Sequence, residues 1–455
     1  MNILITGATG FVGKKLTLEL FKKGYNLIIA TRDIEKAKKT IPLPLEFRLL
    51  DENYEIDFKE EDDIDSIIHL GGKTINSKWT AQNKNIFYLS RVKTLDNLYS
   101  KLSNFKTPPK SLISAAAIGI YPESENDLTE EHKEFSQTFM GQLCQNWEKA
   151  TEQFTNLKMR AVSIRTGIVL GHKGGMLDEI LPIFRIGAGG NLGSGNQVMS
   201  WIHIDDLVNS YIFCLENDSI NGAVNGTAPT PVTNKVFTKT MGKCLNKPTI
   251  LPAPKIGLMV ALGKEKAELF MSSQKVIPKK LLSADFKFKF ENIELALKDL
   301  LSPSDVPGAE RFEFYQWIPQ DKEHAFKFFS KAENLEKLTP PLLNFKITNK
   351  SDEVLKKDTL IDYQLKIRGV PAKWKTLISE WNPNDSFEDT QLKGPYKTWI
   401  HLHTFEEVNN GTLLSDRIDY VVPFWVIGEA LKKLIIDKDI KSIFSFRQSV
   451  IEKSI

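Results

Sequence analysis

The sequence predicts an α/β protein, a doubly wound parallel sheet, followed by a separate α+β domain. Three observations predict it. The chain opens with an apolar run, Met1 to Thr6, then a glycine turn, TGATGFVG, then a helical pattern carrying Leu16, Leu18, Leu20 and Phe21. Short apolar runs then alternate with helical stretches to about residue 300, as in right-handed strand–helix–strand units. After the linker-like Ser302-Pro303-Ser304-Asp305-Val306-Pro307-Gly308 the pattern becomes strands in series and one long terminal helix.

A length of 455 residues suits two or three domains, and a net charge of +3 leaves no nucleic-acid footprint. The cysteines Cys144, Cys214 and Cys244 are too widely spaced for a disulfide framework or a zinc site, and fit a reducing compartment. No apolar run reaches ~18 residues, and a strand at the very start leaves no room for a signal peptide. The expected location is therefore cytoplasmic.

The elements follow in order. The first helix ends at Lys22-Lys23-Gly24, a basic last turn with a glycine stop. Asn26–Thr31 is the second strand, and Asp33 reads as the N-cap of a helix over 34–39. Residues 45–50 form a third strand, 51–65 an acidic solvated stretch, and 66–70 a fourth strand ending at Gly71-Gly72. A helix over 90–102, a strand over 110–117, a helix over 139–154 and a strand over 160–164 come next. Gly187–Gly195 is a glycine-rich loop, and Ser200–Leu207 a strand running into a helix capped by Asp205 or Asp206, with His203 structural. Residues 222–228 form a strand; 232–245, 253–262 and 267–270 supply helical surface, and 295–301 closes the unit.

In the second domain, strands are expected over 312–318, 359–367, 374–381, 386–392, 396–405 and 412–421, with a helix over 321–329 and a short turn over 334–341. Ile361, Tyr363, Leu365 and Ile367 alternate as in a half-buried antiparallel strand, and Asn409-Asn410-Gly411 signals a hairpin. A helix from about Gly428 carries Leu431, Leu434, Ile435, Ile440, Ile443, Phe444, Val450 and Ile451 near one face. A curved sheet gripping that helix leaves a cavity, unless Trp374, Trp381, Trp399, Phe424 and Trp425 fill it as core. His401 and His403 have metal-like spacing on one strand, but no third ligand is evident, so no metal is expected.

The chemistry lies in the glycine turn. Gly7, Gly10 and Gly13 stand between a strand and a helix, where a backbone can approach a pyrophosphate and the helix end offers free N–H groups. At the tip of the second strand Arg32 stands where an acid would hold a ribose 2′-hydroxyl, favouring NADP(H) over NAD, with Asp33 keeping the other option open.

TGATGFVG, TRD, HLGG, SRVKTL, LCQNWE, RTGIVLGHKGG, GSGNQVMSWIHIDDL and NGTAPTPV, in that order, resemble the atypical extended short-chain dehydrogenase/reductases. That group includes sugar-nucleotide epimerase-like and "cell division inhibitor" proteins. The resemblance implies a Rossmann-like doubly wound domain over 1–245 with a small C-terminal substrate lobe, the module over 246–300, then a linker over 301–310. WIPQDKEHAFKFFSKAENLEKLTPP and GTLLSDRIDYVVP resemble START-like, polyketide-cyclase-type helix-grip domains, placing one at 311–455. The first resemblance further implies that Gly7, Gly10, Phe11 and Val12 line the pyrophosphate with Thr9 assisting, and that Arg32 meets the 2′-phosphate. It also implies that Leu70 and Gly71 pass along the ribose, that Ser90 takes the place of a usual asparagine, and that Thr166, Gly167 and Ile168 flank the nicotinamide.

The family's Tyr-x-x-x-Lys pair and serine have no counterpart here: Cys144 and Glu148 have that spacing, and Ala115–Ala117 carries no hydroxyl. A phenol needs a nearby cation to act as a base near neutral pH. Tyr121 and Cys144 are the candidate proton-handling groups. Two functions follow. One is NADP(H)-dependent oxidoreduction or epimerisation of a small hydroxylated or sugar-nucleotide substrate. The other is a non-catalytic NADP(H)-binding sensor. In both, the second domain takes a lipophilic ligand or a partner.

Overall fold

The computed structural model describes every residue except 252, 254–258, 260–262, 424–428 and 455, with backbone alone for 429–434 and 452–454. The expected helix over 253–262 therefore lies largely outside the described residues, as do Phe424, Trp425 and the side chains of Leu431 and Leu434. No helix among the described residues is long and apolar enough to cross a membrane. The chain divides into two compact units, residues 1–41, 45–243 and 247–297 in one, and 42–44, 244–246 and 298–455 in the other.

The first unit is built on a seven-stranded parallel sheet: β1 (Asn2–Thr6), β2 (Asn26–Thr31), β3 (Glu46–Leu49), β4 (Ser66–His69), β5 (Ser111–Ala117), β6 (Arg160–Thr166) and β7 (Gly222–Gly226). Its order is β7-β6-β5-β4-β1-β2-β3, so the strand order reverses between β1 and β4. In a parallel sheet the crevice beyond the strand ends at that reversal is where ligands bind. The strands read as continuous apolar runs because both faces are covered. On one face Leu4, Ile67 and Leu112 pack with Leu95, Leu98 and Trp147 from the helices Thr94–Leu102 and Phe139–Glu152. Ile3 and Ile5 alternate to the other face and are fully buried.

Several local expectations change. The acidic stretch over 51–65 is not simply solvated, since Ile56 and Phe58 turn inward to the same core. The expected helix over 90–102 begins as a π-helical turn, Leu89–Lys93, preceded by an unforeseen helix Ala81–Tyr88 with Phe87 alone buried. The helix Ile204–Glu216 is capped by neither aspartate. His203 caps it, Nδ1 accepting from the Asp205 N–H at 3.1 Å. Asp206 instead accepts from the N–H groups of Lys289 and Phe290 at 2.7 and 2.9 Å, tying a later segment to the helix start.

Asp205 faces Lys15 Nζ at 2.5 Å and Lys289 Nζ at 3.2 Å. Burial opposes its charge, but Lys15 and then His203 outweigh that and hold the carboxyl down to about 2. A carboxyl depressed on folding stabilises above its unfolded pKa and loses that contribution as pH falls through the folded value. Asp205→Asn should therefore cost about 2 kcal/mol near pH 6. The gap from wild type should shrink between pH 4 and pH 2 in urea-unfolding curves.

The second unit holds a seven-stranded antiparallel sheet: β8 (Glu310–Ile318), β9 (Lys346–Lys350), β10 (Leu360–Ile367), β11 (Val370–Asn382), β12 (Ser386–Lys393), β13 (Thr398–Val408) and β14 (Gly411–Val421). Its order is β8-β14-β13-β12-β11-β10-β9. Strand β9 has no counterpart among the expected strands, and a short helix, Ala332–Lys337, overlaps the first half of the expected turn over 334–341. Asn409 and Asn410 turn the β13–β14 hairpin with φ of +52° and +59°, as a two-residue primed turn requires. The helix Glu429–Ser454 packs Ile440 and Phe444 against Phe312, Ile418 and Tyr420 of the sheet, with Phe444 stacked on Phe314 at 4.2 Å.

Candidate functional site

Strand β1 delivers the chain to Gly7, whose φ is +73°. A Cβ there would lie 2.6–2.8 Å from the backbone of Leu70 and Gly71, so only glycine fits. Thr6 fixes this meeting of strand ends: its Oγ1 bonds His69 Nδ1 at 2.8 Å and accepts from the Gly71 N–H at 3.1 Å. Burial, then Arg91, pushes His69 down to about 3, so the link is uncharged at neutral pH. The helix Phe11–Lys22 starts from Gly10 with no side-chain cap and no acid in its first turn. The helices Ile34–Thr40, Ala81–Tyr88 and Phe139–Glu152 are instead capped by Asp33, Thr80 and Thr138. An uncapped helix start beside a backbone crevice leaves N–H donors for an anion. The turn thus fits the pyrophosphate of a dinucleotide.

The other expected cofactor residues distribute as follows. Thr9 and Val12 are half-buried around the turn. The half-buried Phe11 ring lies against Gly171, Gly174 and Gly175, where any added Cβ would meet it. Arg32 is exposed at the end of β2, with no ion-pair partner among the described residues, while Asp33 is spent on the Lys36 N–H at 2.9 Å. Ser90 lies in the π turn and accepts from the Lys73 N–H at 3.0 Å, bracing the loop after β4. Thr166, Gly167 and Ile168 leave β6, and the last two are held by N–H bonds to Gly226 O at 3.0 Å and Ser200 O at 2.9 Å. Gly7, Arg32, Leu70, Gly71 and Thr166 therefore stand at the same edge of the sheet.

The two expected proton-handling groups, Tyr121 and Cys144, are both buried. Tyr121 is 1% exposed. Its hydroxyl accepts from Arg165 Nη1 at 2.7 Å and donates toward Asn225 Oδ1 at 2.7 Å, with Thr129 O a second acceptor at 3.0 Å. Arg165 is in turn gripped by Glu148, Nε to Oε1 at 2.6 Å and Nη2 to Oε2 at 2.7 Å. Burial raises the Tyr121 phenol above its ordinary value despite Arg165. Cys144 sits in the same core, 1% exposed, and burial followed by the Glu148 charge pushes its thiol up to about 12. Neither the Tyr121 hydroxyl nor the Cys144 thiol is open to solvent in this arrangement. The sequence showed the Cys144–Glu148 spacing but gave no sign that Glu148 pairs with Arg165 on β6.

A second concentration of chemistry lies in the other unit. A cavity of about 770 Å³ lies between the sheet and the helix Glu429–Ser454, walled by groups such as Ile361, Tyr363, Trp374, Trp399, Ile440 and Phe444. Trp381 packs instead on Phe326 at 5.1 Å as core. Asp389, His401, His403 and Arg447 also line the cavity. The β12–β13 register sets Asp389 opposite His401, supplying the third group the sequence did not reveal.

A parallel sheet reversing at a glycine turn, with an uncapped helix start beside it, defines the Rossmann-like class. The profile of the NAD dependent epimerase/dehydratase family matches residues 3–225, and that of a domain of unknown function, DUF1731, residues 253–300. The chain is 35% identical over 302 residues to the epimerase family protein SAB0724c of Staphylococcus aureus, spanning 66% of this chain and 98% of that one. It is 34% identical over 303 residues, with the same coverage, to the epimerase family protein YfhF of Bacillus subtilis. The chain belongs to this epimerase family. A crystal structure of human epimerase family protein SDR39U1 with NADPH aligns with a TM-score of 0.60 at 29% identity, over 66% of this chain and 98% of that one. A nucleoside-diphosphate sugar epimerase from Corynebacterium glutamicum aligns with a TM-score of 0.53 at 29% identity, over 65% of this chain and 57% of that one.

Proposed function

We propose that the first unit binds NADP(H) at the β1–β4 crevice, with Arg32 recognising the 2′-phosphate. The observation that carries this is the Gly7–Gly10 turn, which combines close backbone approach with free helix-end donors. The NADPH in the human relative's structure supports the choice of NADP(H) over NAD. Loss of one charge-assisted phosphate contact costs on the order of tenfold in affinity. In calorimetry Arg32→Ala should weaken NADPH at least about tenfold and leave NADH nearly unchanged. Equal affinity of the wild type for NADPH and NADH would overturn the assignment of Arg32.

Within that reading the nucleotide serves as a bound ligand without turnover. The closed Glu148–Arg165–Tyr121–Asn225 network, which leaves no free phenol, favours this. Likeness to a nucleoside-diphosphate sugar epimerase favours the second reading, an NADP-dependent oxidoreductase or epimerase acting on a small hydroxylated or sugar-nucleotide substrate. Oxidation of NADPH in a panel of sugar nucleotides, ketones and quinones, or epimerisation seen by NMR, would decide for the enzyme.

The domain limits we propose are 1–245, 246–300, a linker over 301–310, and a START-like helix-grip domain over 311–455. The antiparallel sheet, the long helix and the largely apolar cavity support a lipophilic ligand there. Native mass spectrometry of the purified chain, before and after organic extraction, tests for it.

A further inference from the structure

We propose that Asp389, His401 and His403 form a mononuclear site for a divalent transition-metal ion on the cavity wall, with Asp416 orienting both imidazoles. Asp389 Oδ2 lies 3.4 Å from His401 Nδ1 and 3.2 Å from His403 Nε2. One ligand atom from each of the three residues lies within 4.8 Å of the others. Metal–ligand bonds of about 2.0–2.2 Å require donors at such spacings.

The opposite ring nitrogens carry the argument further. His401 Nε2 reaches Asp416 Oδ1 at 3.1 Å, and His403 Nδ1 reaches the same oxygen at 2.7 Å. Each imidazole thus turns one nitrogen to Asp389 and the other to Asp416. A carboxylate behind a ligating histidine fixes its tautomer and strengthens it as a donor. The register builds this in, with Asp389 opposite His401 and Asp416 opposite His403. Phe387 stacks on the His403 ring at 4.2 Å and Phe444 meets the His401 ring at 5.7 Å, which limits ring rotation.

The charges agree. Arg447 Nη1 is 3.3 Å from Asp416 Oδ1 and offsets that carboxylate. Two histidines and one carboxylate suit zinc, iron(II), cobalt or nickel better than calcium or magnesium. All three residues line the cavity, so a remaining coordination position would take an oxygen donor on a mostly apolar molecule.

The test is titration of the full chain, stripped with a chelator, with Co²⁺ and Zn²⁺. The expected result is one tight equivalent, with cobalt absorption bands of a nitrogen–oxygen site. His403→Ala and Asp389→Ala should weaken binding at least about 100-fold, and Asp416→Asn about 10- to 100-fold, with circular dichroism unchanged. Should a variant unfold, the wild-type cobalt spectrum and histidine NMR shifts on adding Zn²⁺ still decide. Absence of a stoichiometric equivalent in the wild type, or undiminished affinity in folded Asp389→Ala, would overturn the site.

Discussion

Replacing Arg165 with methionine should lower unfolding stability by about 3–5 kcal/mol, the range for breaking one side of a buried ion pair. Arg165 is 3% exposed, holds both oxygens of Glu148, donates to Tyr121, and sits 4.9 Å over the Tyr121 ring. Burial lowers the guanidinium pKa, but the Glu148 bonds more than reverse this and raise it above its ordinary value. Without the arginine, the Glu148 carboxylate and the Tyr121 phenol lose their shared donor in a poorly hydrated space. Urea unfolding of Arg165→Met, Glu148→Met and the double variant measures the effect. The double variant should recover much of the loss, because an apolar pair leaves no stranded charge. A loss below about 1 kcal/mol in Arg165→Met would mean the network is solvated.

Gly7→Ala should abolish detectable nucleotide binding and destabilise the first unit by about 2–4 kcal/mol. The left-handed backbone alone costs an alanine roughly 1–2 kcal/mol. The added methyl would also meet the Leu70–Gly71 backbone at 2.6–2.8 Å. Neither strand can yield easily, because Thr6 bonds both His69 and Gly71 across the same gap. Calorimetry with NADPH, alongside thermal unfolding, checks both parts. Retained affinity in a stable Gly7→Ala protein would move the nucleotide away from this turn.

What the sequence disclosed, and what it hid, divides by range. Features set by neighbours in the chain were legible. The β2 limits at Asn26 and Thr31, the Asp33 cap and the Asn409–Asn410 hairpin each follow from local conformational preference. Features set by register or burial were not. Asp389 stands opposite His401 only because β12 and β13 pair in one particular register, which residue types do not specify. Arg165 meets Glu148 and Tyr121 through a strand–helix packing that brings distant segments together. The helix Ala81–Tyr88 has too little apolar periodicity to be seen, and β9 is too polar. Tyr121 and Cys144 are legible as residue types, but their burial, which depends on packing of distant segments, is not.

Nucleotide recognition at the opening turn is tested most directly by isothermal titration of the purified full chain with NADPH and, separately, NADH. One equivalent of NADPH should bind, more tightly than NADH. No heat with either nucleotide, at concentrations well above those at which such sites saturate, would contradict it.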